Sequence, residues 1–166
     1  MILGLSVSAF TELHVIISLI GIATGLVFLA GMIAGRWLDR WNVAFLVTTI
    51  LTSVTGFFFP IKQVGPPHIV GAISLLVLAV ALFALYARGR TGAWRVIYIG
   101  AAIFALYLNA FVGVVQTFQK ISFFNRLAPM GNEPPFLVAQ GAVLIFFLIL
   151  GWQSMRRTMP AAARAA

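Results

Sequence analysis

Long apolar runs separated by short polar breaks make up the pattern along this chain of 166 residues. A helix needs about 20 mostly apolar residues to cross the hydrocarbon core of a bilayer. The second apolar run is the shortest, and its threonines make it the least apolar. The pattern predicts an all-α, single-domain bundle of five transmembrane helices, over about 12–35, 43–60, 68–87, 94–118 and 136–154.

The breaks between these runs carry residues that end or begin helices. Residues 35–41 form a polar turn, Pro60 ends the second segment, and Pro66 and Pro67 stand where a helix tolerates a missing N–H. The longest connection, 119–135, holds three more prolines. We therefore expect this connection to be the part of the chain with its own structure outside the membrane.

Composition excludes an ordinary soluble domain. The chain is 62% hydrophobic and 8% charged, whereas soluble domains carry about 25% charged residues. The net charge of +8 does not predict nucleic-acid binding, because the cations stand at the ends of apolar runs and share no single face. The chain has no cysteine, so disulfides, thiolate metal sites and thiol catalysis are excluded.

The positive charges predict an orientation. One side of the predicted bundle receives eight cations and the other receives three. The larger set is Arg36, Arg40, Arg88, Arg90, Arg95, Arg156, Arg157 and Arg164; the smaller is Lys62, Lys120 and Arg126. Because Lys and Arg are enriched in cytoplasmic loops, we expect the N-terminus outside and the C-terminus inside. All four tryptophans fall at the predicted cytoplasmic boundary, as in an aromatic belt.

Polar side chains within the predicted spans fall mainly in the outer half of the membrane. This predicts a polar pocket there, where the candidate ligand-binding residues are His14, His68 and Asn109, with Glu12, Gln116 and Gln140 as further contacts. Explanations that need no ligand compete with the pocket. Glu12 is expected in the first helical turn, where the helix dipole favours a carboxylate, and the glutamines can contact water at the interface. Asn109 is deep enough that its amide should bond another helix or a ligand.

Small residues predict close helix packing at Gly21, Gly25, Gly31, Gly35 and Gly113.

The two histidines carry the most specific hypotheses. They stand at similar outer depth on different helices, so His14 and His68 could ligate a haem b iron or hydrogen-bond a quinone headgroup. Together with Glu12 they could instead form a small metal site. A purely structural role for both is the competing interpretation.

Motifs that would indicate an enzyme are missing. The chain has no P-loop, no dinucleotide-binding glycine pattern, no nucleophile elbow and no HExxH. Its three acids are too few for a buried carboxylate pair with supporting charges. Proton-coupled transport is also disfavoured, since the mid-membrane positions hold Thr, Asn and Gly.

A resemblance adds a setting but no reaction. The segment 125–140, which follows Tyr107, Asn109 and Gln116, resembles a family of small proteobacterial membrane proteins without assigned activity. The likeness runs from Pro66 onward and implies a bacterial inner membrane. The leading functional interpretation is an accessory membrane subunit that holds a quinone, a haem b or a lipid. The alternatives are a structural subunit that packs against a larger complex or a second copy, and a transporter of a small neutral molecule.

Overall fold

The computed structural model describes residues 1–60 and 65–158, and in these residues every long element is a helix. Lys62 and Arg164, two cations used in the orientation count, lie outside the described residues. The helices are α1 Val7–Ile33, α2 Asp39–Gly56, α3 Pro66–Leu82, α4 Ala93–Lys120, α5 Ser122–Leu127 and α6 Pro134–Thr158, with one π-helical turn, Phe83–Ala87, extending α3. The predicted all-α fold is confirmed.

Four of the helices are long and apolar enough to cross a membrane: Val7–Ile33, Pro66–Ala87, Ala93–Lys120 and Pro134–Arg157. The second predicted span, α2, is not among them. It begins at Asp39 and not near position 43, so its 18 residues include two charged side chains in addition to its threonines. Composition therefore supports four of the five predicted spans.

Helix α1 begins earlier than predicted, and this changes the position of Glu12. The Ser6 hydroxyl accepts a hydrogen bond from the Ala9 backbone N–H at 3.1 Å and caps the helix at Val7. Glu12 consequently lies beyond the first turn, which contains no acidic residue. The expectation that the helix dipole stabilises Glu12 there is wrong.

The bundle is arranged around α4, which packs against α3, α6 and α1, while α1 packs most extensively against α2. Aromatic and aliphatic side chains fill the space between these helices, and the buried core includes Phe28, Leu29, Met32, Phe45, Leu46, Tyr98, Ile99, Leu106 and Phe147. The outward surface is also apolar: only 17% of the span in α6 and 22% of the span in α3 is buried. Such an exposed apolar surface suits a lipid bilayer.

Two of the predicted packing glycines allow the closest helix contacts. A Cβ on Gly25 would lie 2.6 Å from Leu106 Cδ1 and 2.8 Å from Phe45 Cδ2, so three helices meet at this glycine. A Cβ on Gly21 would lie 3.3 Å from the Thr48 hydroxyl oxygen, again between α1 and α2. The absence of a side chain at both positions lets the backbones approach.

The other predicted packing glycines behave differently. A Cβ on Gly31 would clash with Leu38 at 2.7 Å, so Gly31 packs against the turn after its own helix. Gly113 makes only an ordinary contact, 3.8 Å from Ile22 Cδ1 to a built Cβ. Helix packing by Gly35 is contradicted, because no atom lies within 4 Å of its built Cβ and its φ is +70°.

Gly35 instead ends α1 in a Schellman motif. Its N–H donates to the Met32 carbonyl at 3.0 Å, and the next N–H, from Arg36, donates to the Gly31 carbonyl at 2.8 Å. Glycine suits this place because the left-handed backbone conformation costs it little. The turn sends the chain directly into α2.

Candidate functional site

His14 connects α1 to the end of α2. Its Nδ1 lies 2.8 Å from the Thr55 hydroxyl oxygen. While that hydroxyl donates its own hydrogen to the Leu51 carbonyl at 2.7 Å, it can only accept from the imidazole, which selects the tautomer with the proton on Nδ1. In that tautomer the Nε2 atom of His14 is a hydrogen-bond acceptor.

An aromatic ring packs against this imidazole. The Phe59 ring meets it edge to face with 5.2 Å between centroids, and Phe59 contacts Phe10 at the same centroid distance. Gly56 lies beside the imidazole, since a Cβ there would be in van der Waals contact with His14 Cε1 at 3.8 Å. His14 itself is half-buried. Its polar Nε2 thus belongs to an otherwise apolar site near one end of the bundle.

His68 has a different role, as a cap for α3. Its Nδ1 accepts a hydrogen bond of 3.3 Å from the Gly65 backbone N–H, in the first turn of that helix. The Phe57 ring lies beside it, with 6.1 Å between centroids. We call the end of the bundle that carries His14, Thr55, Phe59 and His68 the histidine end. Nowhere in the described ranges do three or more His, Asp or Glu side chains come close enough to share a metal ion.

Asn109 lies deeper and bonds another helix. Its side-chain amide nitrogen donates to the Thr49 hydroxyl oxygen at 3.2 Å, linking α4 to α2. Thr49 is fully buried, and a Cβ on Gly21 would lie 3.5 Å from the same Asn109 nitrogen. The Asn109 amide therefore lies where α1, α2 and α4 meet.

The remaining candidates are dispersed. Glu12 is exposed and accepts only a long hydrogen bond of 3.4 Å from the Ser8 hydroxyl, and Gln116 is also exposed. Gln140 donates from Nε2 to the Phe111 carbonyl at 3.2 Å. Its buried Oε1 has no hydrogen-bond partner among the described residues. None of the six candidates is among the described lining residues of the two cavities at the opposite end of the bundle.

Two cavities lie at the other end of the bundle. The first, about 350 Å³, is lined by Gly35, Arg36, Trp37, Gly89, Arg90, Arg95 and Arg157. The second, about 320 Å³, is lined by Ile33, Trp152, Gln153, Arg156 and Arg157. We call this the arginine end. These cations all follow or precede apolar runs in the sequence, a pattern that indicates orientation but does not by itself indicate that they line cavities.

Rings and guanidinium groups stack at the arginine end. Arg90 lies 4.1 Å from the centroid of Trp37, Arg88 lies 4.9 Å from that of Trp94, and Arg156 lies 4.3 Å from that of Trp152. Such cation–π contacts hold long cationic side chains against the bundle.

A buried polar pair at the same end was not predicted. The Tyr98 hydroxyl donates a hydrogen bond to Asn42 Oδ1, joining the second turn of α4 to the first turn of α2. Both side chains are almost completely buried. A tyrosine near a helix start gives no sequence signal that would identify its partner.

No protein-family model, curated protein or solved structure matches this chain. Over residues 1–60 and 65–158, the fold defines a class: an all-helical protein with four helices able to span a membrane and an apolar outer surface suited to a lipid bilayer.

Proposed function

We propose that this chain is an accessory membrane subunit that holds a hydrophobic ligand with a polar headgroup, using His14 as the polar contact. One observation carries the proposal: the Thr55 hydroxyl occupies Nδ1, which leaves the second nitrogen of this half-buried imidazole, packed beside the Phe59 ring, to accept a hydrogen bond from a ligand. A polar atom in such surroundings favours a ligand that places a hydroxyl against it and apolar carbon around it.

Among the ligands considered, a quinol or another lipid with a hydroxyl headgroup fits this chemistry better than a haem. Haem ligation by both histidines through Nε2 would need a proton on His68 Nδ1. That nitrogen instead accepts from the Gly65 N–H, so haem binding would break the cap of α3. Donation from a quinol hydroxyl to His14 Nε2 requires no such change.

We also propose the full topology: five spans, N-terminus outside and C-terminus inside, in a bacterial inner membrane. The gathering of Arg36, Arg90, Arg95 and Arg157 at one end supports it, because cations concentrate on the cytoplasmic side. The native chain has no cysteine, so single cysteines report cleanly. Met130→Cys should react with an impermeant maleimide in intact cells and Ala93→Cys only after lysis; the reverse result would invert the orientation.

Ligand retention tests the function directly. The full chain is purified from bacterial membranes in a mild detergent, and the lipids and quinones that co-purify are quantified by mass spectrometry. A visible spectrum with and without dithionite tests for haem at the same time. We expect bound quinone in the native protein and its loss in His14→Leu.

A second variant tests the role of the tautomer. Thr55→Val removes the acceptor for Nδ1–H and should lower retention about fivefold, as for the loss of one hydrogen bond of about 1 kcal/mol. Thr11→Val is the matched control, since its hydroxyl bonds only the Val7 carbonyl within α1. Equal retention in all three variants would refute the proposal.

The structural subunit is the second candidate, and the low burial of α6 favours it. With 17% of its span buried, α6 presents Leu144, Ile145, Leu148 and Ile149 outward as an apolar face that another membrane helix could cover. The polypeptide mass of the complex extracted from native membranes tests this candidate. A mass equal to one chain would exclude it.

A further inference from the structure

Four arginines from distant parts of the chain line one cavity at the arginine end. Arg36 follows α1, Arg90 lies between α3 and α4, Arg95 is in the first turn of α4 and Arg157 is in the last turn of α6. The four arginines come from different elements that are far apart in the sequence, so the cluster forms only when the chain folds.

Four guanidinium groups give the described lining of this cavity a positive charge. No acidic side chain is among its described lining residues. The carboxylate of Asp39 lies beside the cavity, with its Oδ1 3.7 Å from Arg90 Nη1, and the Asp39 side chain is 75% exposed. Guanidinium groups held together repel one another, so a bound anion would stabilise the arrangement.

Two donors at the cavity lack acceptors. Arg90 is held against the Trp37 ring, and its distance to Asp39 is too long for a hydrogen bond. Within the described ranges, neither Arg90 Nη1 nor Trp37 Nε1 has a hydrogen-bond acceptor, although both atoms are buried. Oxygens of an anion in the cavity would satisfy such donors, and phosphate oxygens match guanidinium geometry well.

The neighbouring cavity adds an apolar surface beside the arginines. It shares Arg157 with the first cavity and adds Ile33 and Trp152, and Trp152 is 57% exposed on the outer surface. Cation and apolar surface thus adjoin where a helix meets the membrane boundary. This combination suits the headgroup and first carbons of a phospholipid better than a free phosphate ion.

We propose that the two cavities of the arginine end form a binding site for one anionic phospholipid. Its phosphate lies among Arg36, Arg90, Arg95 and Arg157, and its glycerol and acyl carbons run past Ile33 and Trp152 along α6. The site is separate from the ligand position at His14 and does not depend on it.

Native mass spectrometry of the full chain in detergent tests this site, with phosphatidylglycerol and phosphatidylcholine titrated in separate samples. We expect phosphatidylglycerol to bind more tightly, because phosphatidylcholine carries a compensating positive charge. The double variant R36Q/R157Q should weaken phosphatidylglycerol binding about 25-fold, at about fivefold for each arginine removed. Arg36 and Arg157 are exposed, so the variant keeps the core intact.

Arg88→Gln is the matched control, since Arg88 lies at the same end and stacks on Trp94 but lines neither cavity. We expect its affinity to equal that of the native chain. Equal binding of the two lipids, or an equal effect of the control and the double variant, would overturn the proposal. An inorganic phosphate arm, at constant ionic strength, distinguishes the sources: displacement of phosphatidylglycerol by free phosphate would assign a soluble anion and refute the lipid.

Discussion

Gly25 is the position where one added methyl group should have the largest effect on the bundle. An alanine Cβ there would lie 2.6 Å from Leu106 Cδ1 and 2.8 Å from Phe45 Cδ2. Real carbon contacts are near 3.5–4.0 Å, about an ångström longer. Leu106 and Phe45 are buried in the core, at 2% and 1% exposure, so neither side chain has free space to move into.

The magnitude follows from overpacking. Extra methyl groups in a well-packed core cost about 1–3 kcal/mol. Alanine also gains up to about 1 kcal/mol in helix propensity over glycine, which would obscure the effect in a single variant. Gly141→Ala removes this ambiguity, because α6 offers the same propensity gain and no atom lies within 4 Å of the added Cβ.

The assay is thermal unfolding of both variants in the same detergent, followed by tryptophan fluorescence. At roughly 3 °C per kcal/mol for a chain of this size, Gly25→Ala should unfold about 3–9 °C below Gly141→Ala. Equal midpoints would show that α1, α2 and α4 do not meet at Gly25 as described. A midpoint above the control would refute the packing argument altogether.

Three further substitutions test other contacts. Tyr98→Phe should cost about 1–3 kcal/mol, because Asn42 Oδ1 loses its donor in a buried position; unfolding midpoints measure this, and an unchanged midpoint would contradict it. Asn109→Ala should cost about 0.6–1.7 kcal/mol through the lost bond to Thr49, and the same cost in a Thr49→Val background would show that the bond contributes nothing. In the loop before α6, desolvation would raise the pKa of Glu133, but backbone N–H groups of Met130 and Asn132 donate to its carboxylate and lower that pKa. The loop should therefore be stabilised at neutral pH and lose this contribution as the pH falls through the lowered pKa; hydrogen exchange should show the pH dependence in the native chain and its absence in Glu133→Gln.

Features that depend on a single segment, such as the position of a long helix, could be predicted from the sequence. Hydropathy was enough to locate every long helix to within a few residues, because each apolar run records its own burial or lipid contact. Boundaries were less accurate where a single polar residue decides them, as Ser6 does at the start of α1.

Contacts between segments were not predictable in the same way. The same four-residue spacing separates Gly21 from Gly25 and Gly31 from Gly35. Gly35 nevertheless ends a helix, while Gly25 packs between three helices. The polar residues in the sequence could also form hydrogen bonds with one another in many combinations. That His14 bonds Thr55 while His68 caps its own helix depends on how the helices are placed against one another.

The polar character of α2 has a consequence for assembly. Each of its interhelical side-chain hydrogen bonds is made with α1 or α4: Thr55 with His14, Thr49 with Asn109, and Asn42 with Tyr98. In the proposed five-span topology these bonds satisfy polar groups that lipid cannot, so α2 would be stable in the membrane only while it packs against α1 and α4. Stable insertion of α2 would then require α4, which is synthesised some forty residues later by the helix bounds. A substitution in α4 should then show itself first as a failure to retain α2 in the membrane.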